Sequence, residues 1–165
     1  MAGFMKLYDM PGDSKNVAFK EYIRIDSMSS EITREIPESA RGNQRAKGHT
    51  ILNNISVSRQ LDRSSTDLQK KVATGDVIKE VKIVFANMYG STGAYQAYLT
   101  YTLSYVVLAS YSISCDAEGE DLPKEELTLS YTKAVWDYKD FNEKGEPGNN
   151  YTASYDLTTD VAGKD

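Results

Sequence analysis

The sequence predicts an all-β fold, an antiparallel barrel or sandwich of about eight strands with one short α-helix near residues 65–74. Three observations predict it. The dominant hydrophobic period is two, turn-forming clusters separate the alternating runs, and only one segment carries both a helix start and a helix stop. A length of 165 residues fits a single domain spanning 1–165.

Taken in order, the first alternating segment lies near Phe4–Tyr8 and the second near Ala18–Ile32. Pro37 to Gly48 has no apolar periodicity and two glycines, so it reads as a long exposed excursion. Ile51, Ile55 and Val57 then share one face, with Asn54, Ser56 and Ser58 opposite. The helix follows. Ser64 is placed to accept backbone N–H groups, Asp67 sits in the positive first turn, Leu68 and Val72 share a face, and Gly75 supplies a left-handed stop.

After the helix, Val81, Ile83 and Phe85 alternate with Lys82, Val84 and Ala86, and Met88 to Gly93 reads as a hairpin turn. Tyr101, Leu103, Tyr105 and Val107 alternate with Thr and Ser, as do Leu127, Leu129 and Tyr131. Cys115 to Glu126 is an acidic loop, Glu143 to Asn150 a turn cluster, and Tyr151 to Leu157 a weaker strand. β-branched and aromatic residues alternating with Thr and Ser suit strands with one buried face.

Composition narrows the function. A single His (His49) and a single Cys (Cys115) exclude an internal disulfide and a Cys/His zinc site closed within one chain. His49 lies beside the Gly-containing excursion and reads as a surface residue. Cys115 precedes carboxylates that would raise a thiol pKa, so it reads as a small half-buried residue rather than a nucleophile. No GxSxG elbow or other catalytic motif occurs, and the chain is read as a non-enzyme without cofactor or metal. The net charge of −5 argues against a nucleic-acid partner. No run approaches the roughly 18 apolar residues of a membrane-inserted helix. The N-terminus shows no signal peptide, so the default location is the cytoplasm unless a machine exports the chain.

Charge is unevenly spread. Residues 1–80 carry 13 basic and 11 acidic side chains, whereas residues 81–165 carry 6 and 13. Arg41, Arg45 and Lys47 concentrate positive charge in the excursion. Glu118, Glu120 and Asp121 concentrate negative charge in the acidic loop. Oppositely charged loops suit head-to-tail association, which builds rings or filaments. Ten of the twelve tyrosines lie from Tyr89 onward, and a Tyr-rich sheet surface also suits self-contact.

Three segments, in order, resemble the haemolysin-coregulated protein family, which builds the tube of bacterial type VI secretion systems. They are MPGDSK (Met10–Lys15), ISVSRQLDRSSTDLQKKVATGDVIKEVKIVF (Ile55–Phe85) and LTLSYTKAVWDYKDFN (Leu127–Asn142). The middle segment is similar to the family's strand, Asp-containing helix entrance, glycine-stopped helix and second strand. Thr66 and Asp67 stand where many members carry Pro, and the acidic loop is distinctive.

The resemblance implies a Greek-key-like β-barrel with a flanking helix. It further implies homohexameric rings that stack into a hollow tube, expelled by a contractile sheath, capped by a spike protein and able to carry effector proteins. The chain would then be assembled in the bacterial cytoplasm and secreted without a cleavable signal. On this reading Arg41, Arg45, Lys47, Glu118, Glu120 and Asp121 are expected at ring-stacking contacts. Ser27 and Ser29 are expected to face the lumen. Two alternatives remain open: a tail-tube protein of a phage-like contractile particle, and a small ligand- or Ca²⁺-binding β-barrel module centred on the acidic loop.

Overall fold

The computed structural model describes residues 1–39, 41–89, 93–119, 121–159 and 161–163. Its strands are β1 (Ala2–Leu7), β2 (Ile23–Ile25), β3 (Ser27–Ser29), β4 (Ile32–Arg34), β5 (Thr50–Leu52) and β6 (Ile55–Gln60). After the helix α1 (Ser65–Thr74) come β7 (Ile78–Met88), β8 (Tyr95–Ser114), β9 (Lys124–Ser130), β10 (Lys133–Phe141), β11 (Pro147–Asp156) and β12 (Val161–Gly163). All pairings among them are antiparallel, so the all-β reading holds.

The expected barrel does not close as one ladder. One run of strands follows the order β12-β11-β10-β8-β7-β1-β2, and a second follows β3-β6-β9-β8. β8, twenty residues long, belongs to both: up to Val106 it pairs with β7 and β10, and from Val107 it pairs with β9. At the handover Tyr105 takes a left-handed φ of 55° between the β7-paired residues Ser104 and Val106. A bulky residue in that conformation is held by its surroundings, and it bends the strand out of one sheet into the next.

The opposite corner is made at Asp26. β2 pairs with β1, β3 pairs with β6, and Asp26 N donates to Ser58 O at 2.8 Å between them. Ile25 is buried and Met28 packs against the core, yet two exposed residues, Asp26 and Ser27, separate them. The alternation slips by one residue there, which turns the wall instead of continuing it.

Inside lie Met5, Leu7, Ile23, Ile55, Ile83, Leu103, Leu127 and Leu129, each at most 1% exposed. Each contributes about 1.5–3 kcal/mol by leaving water. Leu68 of α1, fully buried, and the partly buried Val72 seal the core from the side. Gly75 ends α1 at φ 70°, as expected.

Several local expectations are corrected. Ala18–Tyr22 is a turn rather than strand, because Asn16 Oδ1 accepts the N–H groups of Ala18 and Phe19 and competes with any ladder. The turn lays Phe19 on Phe4, 4.5 Å between ring centroids, forming a small second cluster on the outer face of β1. Ser64 does not cap α1; its backbone is already helical and its hydroxyl is engaged elsewhere. β11 begins at Pro147, so the turn cluster shrinks to a tight hairpin closed by Asn142 Oδ1, which accepts from Lys144 and Glu146 N–H. Cys115 is exposed rather than half-buried, because β8 ends one residue before it. His49 is exposed, as read.

Candidate assembly surfaces

The strands β3, β6, β9 and the second part of β8 present one face to the core and one outward. Their register sets the outward rows. Ser27 faces Ser58, Ser58 faces Glu126, and Glu126 faces Ser112. The next row runs Ser29, Ser56, Thr128, Ser110. Beyond them Gln60, Lys124 and Ser114 complete the face. Ser27 and Ser58 hydroxyls lie 2.6 Å apart. The result is a sheet surface of small hydroxyls with one acid and one lysine and no exposed aliphatic group in these rows. Such a surface stays hydrated and offers little apolar grip to anything passing it.

Ser27 and Ser29 therefore sit on one exposed face, at its edge. Ser56, Ser58, Ser110, Ser112 and Thr128 share it, and the sequence reading did not assign them a role. The signal was available: serines at every second position in 110–114 follow the same period as the apolar residues that oppose them.

The excursion is an arm. β4 and β5 pair only with each other, and Arg34 Nη1 donates to Thr50 Oγ1 at 2.9 Å. Between them residues Gly42–Lys47 form a 3₁₀ turn, with Arg41 and Arg45 exposed. At the loop end of this ladder Glu35 N donates to His49 O, and Gly48 lies so close to Glu35 that an added Cβ would fall 1.6 Å from its carbonyl oxygen. Glu118 and Asp121 are exposed on the loop between β8 and β9. Among the described residues no ion pair joins Arg41 or Arg45 to Glu118 or Asp121 within the chain. Glu120 and the Lys47 side chain lie outside the described residues.

The acidic loop is shorter than read. Glu125 and Glu126 belong to β9, and Glu125 points inward. There it meets Arg59, its register partner on β6, with Nε 2.7 Å from Oε2. The pair is held by charge and proximity; neither atom makes an aligned hydrogen bond. The rest of the guanidinium is well served. Nη1 donates to Ser64 Oγ at 2.8 Å, and Nη2 donates to Asp62 Oδ1 at 2.6 Å and Ser65 Oγ at 2.8 Å. Tyr111 donates to Glu125 Oε1 at 2.6 Å and accepts from Gln69 of α1.

This buried cluster ties β6, β8 and β9 to the start of α1. Burial and the Glu125 hydrogen bond push the Tyr111 phenol up to about 12. Burial also acts to raise the Asp62 carboxyl, but hydrogen bonds from Ser64 and the Arg59 charge outweigh it and leave it below the ordinary value. The cluster lies inside the wall, and its Asp62 also lines a groove on the outer surface.

Aromatic side chains mark a further surface. Tyr138 and Tyr151 are register partners on β10 and β11, stacked at 6.2 Å and each about half exposed. Tyr8 and Tyr105 are also exposed. Among the described residues no group of three or more His, Cys, Asp or Glu is arranged to hold a metal ion, and no helix is long and apolar enough to cross a membrane.

Comparison with known proteins places this architecture. A solved structure of a type six secretion system protein superimposes with a TM-score of 0.89 at 19% identity, covering 98% of this chain and 99% of that one. Hcp1 from Salmonella typhimurium gives a TM-score of 0.72 at 23% identity, covering 98% and 97%. A type VI secretion system effector from Yersinia pestis gives 0.71 at 20% identity, covering 93% and 98%. These likenesses carry the fold. No curated protein matches the chain in sequence. The family model described as type VI secretion system effector, Hcp, matches residues 4–138, which include most of β1, the corner at Asp26, α1 and the polar face. The chain belongs to the Hcp family of type VI secretion system proteins.

Proposed function

We propose that this chain is a structural subunit of the type VI secretion tube. Residues 1–165 act as one unit, assemble into homohexameric rings, and stack into a hollow tube that a contractile sheath expels. The tube carries effector proteins in its lumen and meets a spike protein at its tip. Its role is mechanical and conductive and requires no catalysed reaction.

One observation carries this reading beyond family membership: the continuous hydroxyl-lined face of β3, β6, β9 and β8. A surface that holds small polar groups across four strands suits a channel wall, because cargo slides past hydrated hydroxyls without apolar adhesion. Ser27 and Ser29 lie on that wall. The arm bearing Arg41, Arg45 and Lys47 projects as its own small sheet and suits docking on the next ring, where Glu118, Glu120 and Asp121 offer opposite charge.

Native mass spectrometry tests the ring. The expected mass is about six times the 18.4 kDa of the chain, and a monomer at high concentration would contradict the proposal. Stacking is tested by Arg45→Glu with Lys47→Glu. Shorter tubes in electron micrographs are expected, and unchanged tube length would sink the arm's role.

A further inference from the structure

Beside the polar face lies a groove of about 720 Å³ that the tube reading leaves unused. One wall is aromatic: Phe4 and Tyr95 meet edge to face at 6.1 Å. The other is polar and carries Lys15 and Arg24, both exposed. Neither cation takes part in an ion pair among the described residues. Three carboxylates also line the groove, but two are engaged: Asp13 by Arg63 at 3.1 Å and Asp62 by Arg59 at 2.6 Å. Asp26 is the third. The groove thus suits a segment that brings acids and an apolar side chain.

The loop between β8 and β9 has this composition. It carries Asp116, Glu118 and Asp121 and an exposed Leu122. An apolar residue left 57% exposed among acids fits a loop that is covered in an assembly. Among the described residues, none lining the groove comes from this loop, so the chain does not fill the groove itself.

The relative position of the two features favours a lateral contact. Leu61 N donates to Pro123 O at 2.9 Å, and Gln60 is the register partner of Lys124. The rim of the groove and the base of the loop therefore lie at the same end of the strands. They flank the β3-β6-β9-β8 sheet on different sides, the groove beside β2 and the loop beyond β8 and β9. With the strands set along the ring axis, rotation carries each feature to its neighbour at unchanged height, so features at one end of the strands meet around a ring. We infer that the β8–β9 loop of each subunit docks in the Lys15/Arg24 groove of the next subunit of the same ring, with Leu122 against Phe4 and Tyr95. This inference rests on the ring reading. It gives Asp121 and Leu122 a lateral contact and leaves Glu118 and Glu120 to the stacking contact.

Two sets of variants test it, in a Cys115→Ser background because Cys115 is exposed. In the first, Lys15→Cys is combined with Leu122→Cys and the protein is oxidised. A ladder of covalent multimers up to the ring supports the contact. A cross-link confined to the monomer, or rings that form without any cross-link, overturns it. In the second, Arg24→Glu and Asp121→Lys are made singly and together. Each single reversal is expected to weaken ring formation about tenfold at low salt, with the double variant recovering most of the loss. Rings that tolerate every variant, or single losses without recovery in the double, overturn the inference. A wild-type chain that is monomeric by native mass sinks the ring reading itself and this contact with it. A hexameric wild type together with no cross-link in the double-cysteine variant sinks only the contact.

Discussion

Arg59 Nε stands 2.7 Å from Glu125 Oε2, with both side chains fully buried and the two residues directly opposite on β6 and β9. Two charges removed from water in this way are costly unless each is matched. Here the matching is shared among Asp62, Ser64, Ser65 and Tyr111, which belong to the helix entrance and to β8. The cluster fixes where α1 begins relative to the barrel wall, and so fixes the seal that Leu68 makes on the core.

Glu125→Gln is expected to destabilise the chain by about 3 kcal/mol or more, because it leaves the buried guanidinium short of its facing charge. Arg59→Met with Glu125→Leu should cost less than the sum of the two single changes, since it removes both charges together. Urea denaturation of Glu125→Gln, the two single variants, the double variant and the wild type checks this. Strict additivity would show that the pair is not coupled.

Stability should also fall at both ends of the pH scale, for different reasons. The Asp62 carboxyl is held below its ordinary value of 3.8. Its contribution is therefore present above that value and lost as pH drops through the lower folded-state pKa. The Tyr111 phenol is raised from 10.0 to about 12, so its contribution is complete below 10 and lost as pH rises towards 12. Asp62→Asn should flatten the acid limb of the urea midpoint, and Tyr111→Phe the alkaline limb. Limbs unchanged by these substitutions would assign the pH dependence to other groups.

The frame of this fold was legible because burial writes itself in period two. Val81, Ile83, Leu103, Leu127 and Leu129 are all inside, and α1 begins and ends where its signals lie. What escaped was set by contacts distant in sequence or by competing local chemistry. Ser64 reads as a cap until a buried arginine five residues earlier claims its hydroxyl. Asn16 closes a turn inside a segment with good strand composition. Arg59 and Glu125 look like ordinary surface charges, although each falls on the inward phase of its strand, two residues from Val57 and Leu127. The polar face was half visible: Ser27 and Ser29 could be named, but only pairing across β6, β9 and β8 gathers the other hydroxyls beside them.

Gly48→Ala separates the arm from the rest of the fold. A Cβ there would overlap the carbonyl of Glu35, so the loop end of the β4–β5 ladder must shift. The arm pairs with no other strand. Global stability should therefore change by about 1 kcal/mol or less, a fall of about 2–4 °C in Tm at most. Ring formation should persist while tubes shorten. A large drop in Tm would mean that the arm supports the core, and full-length tubes would remove it from the stacking contact.

The channel wall is tested by accessibility. In a Cys115→Ser background, Ser27→Cys, Ser58→Cys and Ser112→Cys each place one thiol in the same cross-strand row, where register holds them side by side. Ala73→Cys, exposed on α1, serves as the outer control. With dispersed subunits, small and bulky maleimides should both label all four positions, because Ser27, Ser112 and Ala73 are exposed and Ser58 half-exposed within one chain. Assembly into rings should slow the bulky reagent at the three row positions by about tenfold or more, while the small reagent still enters and Ala73→Cys stays open to both. The discrimination comes from the width of an enclosed passage, so all three row positions should lose bulky labelling together. Protection of Ser27→Cys alone would instead mark the edge of a subunit contact, and free labelling throughout would take this face out of the lumen.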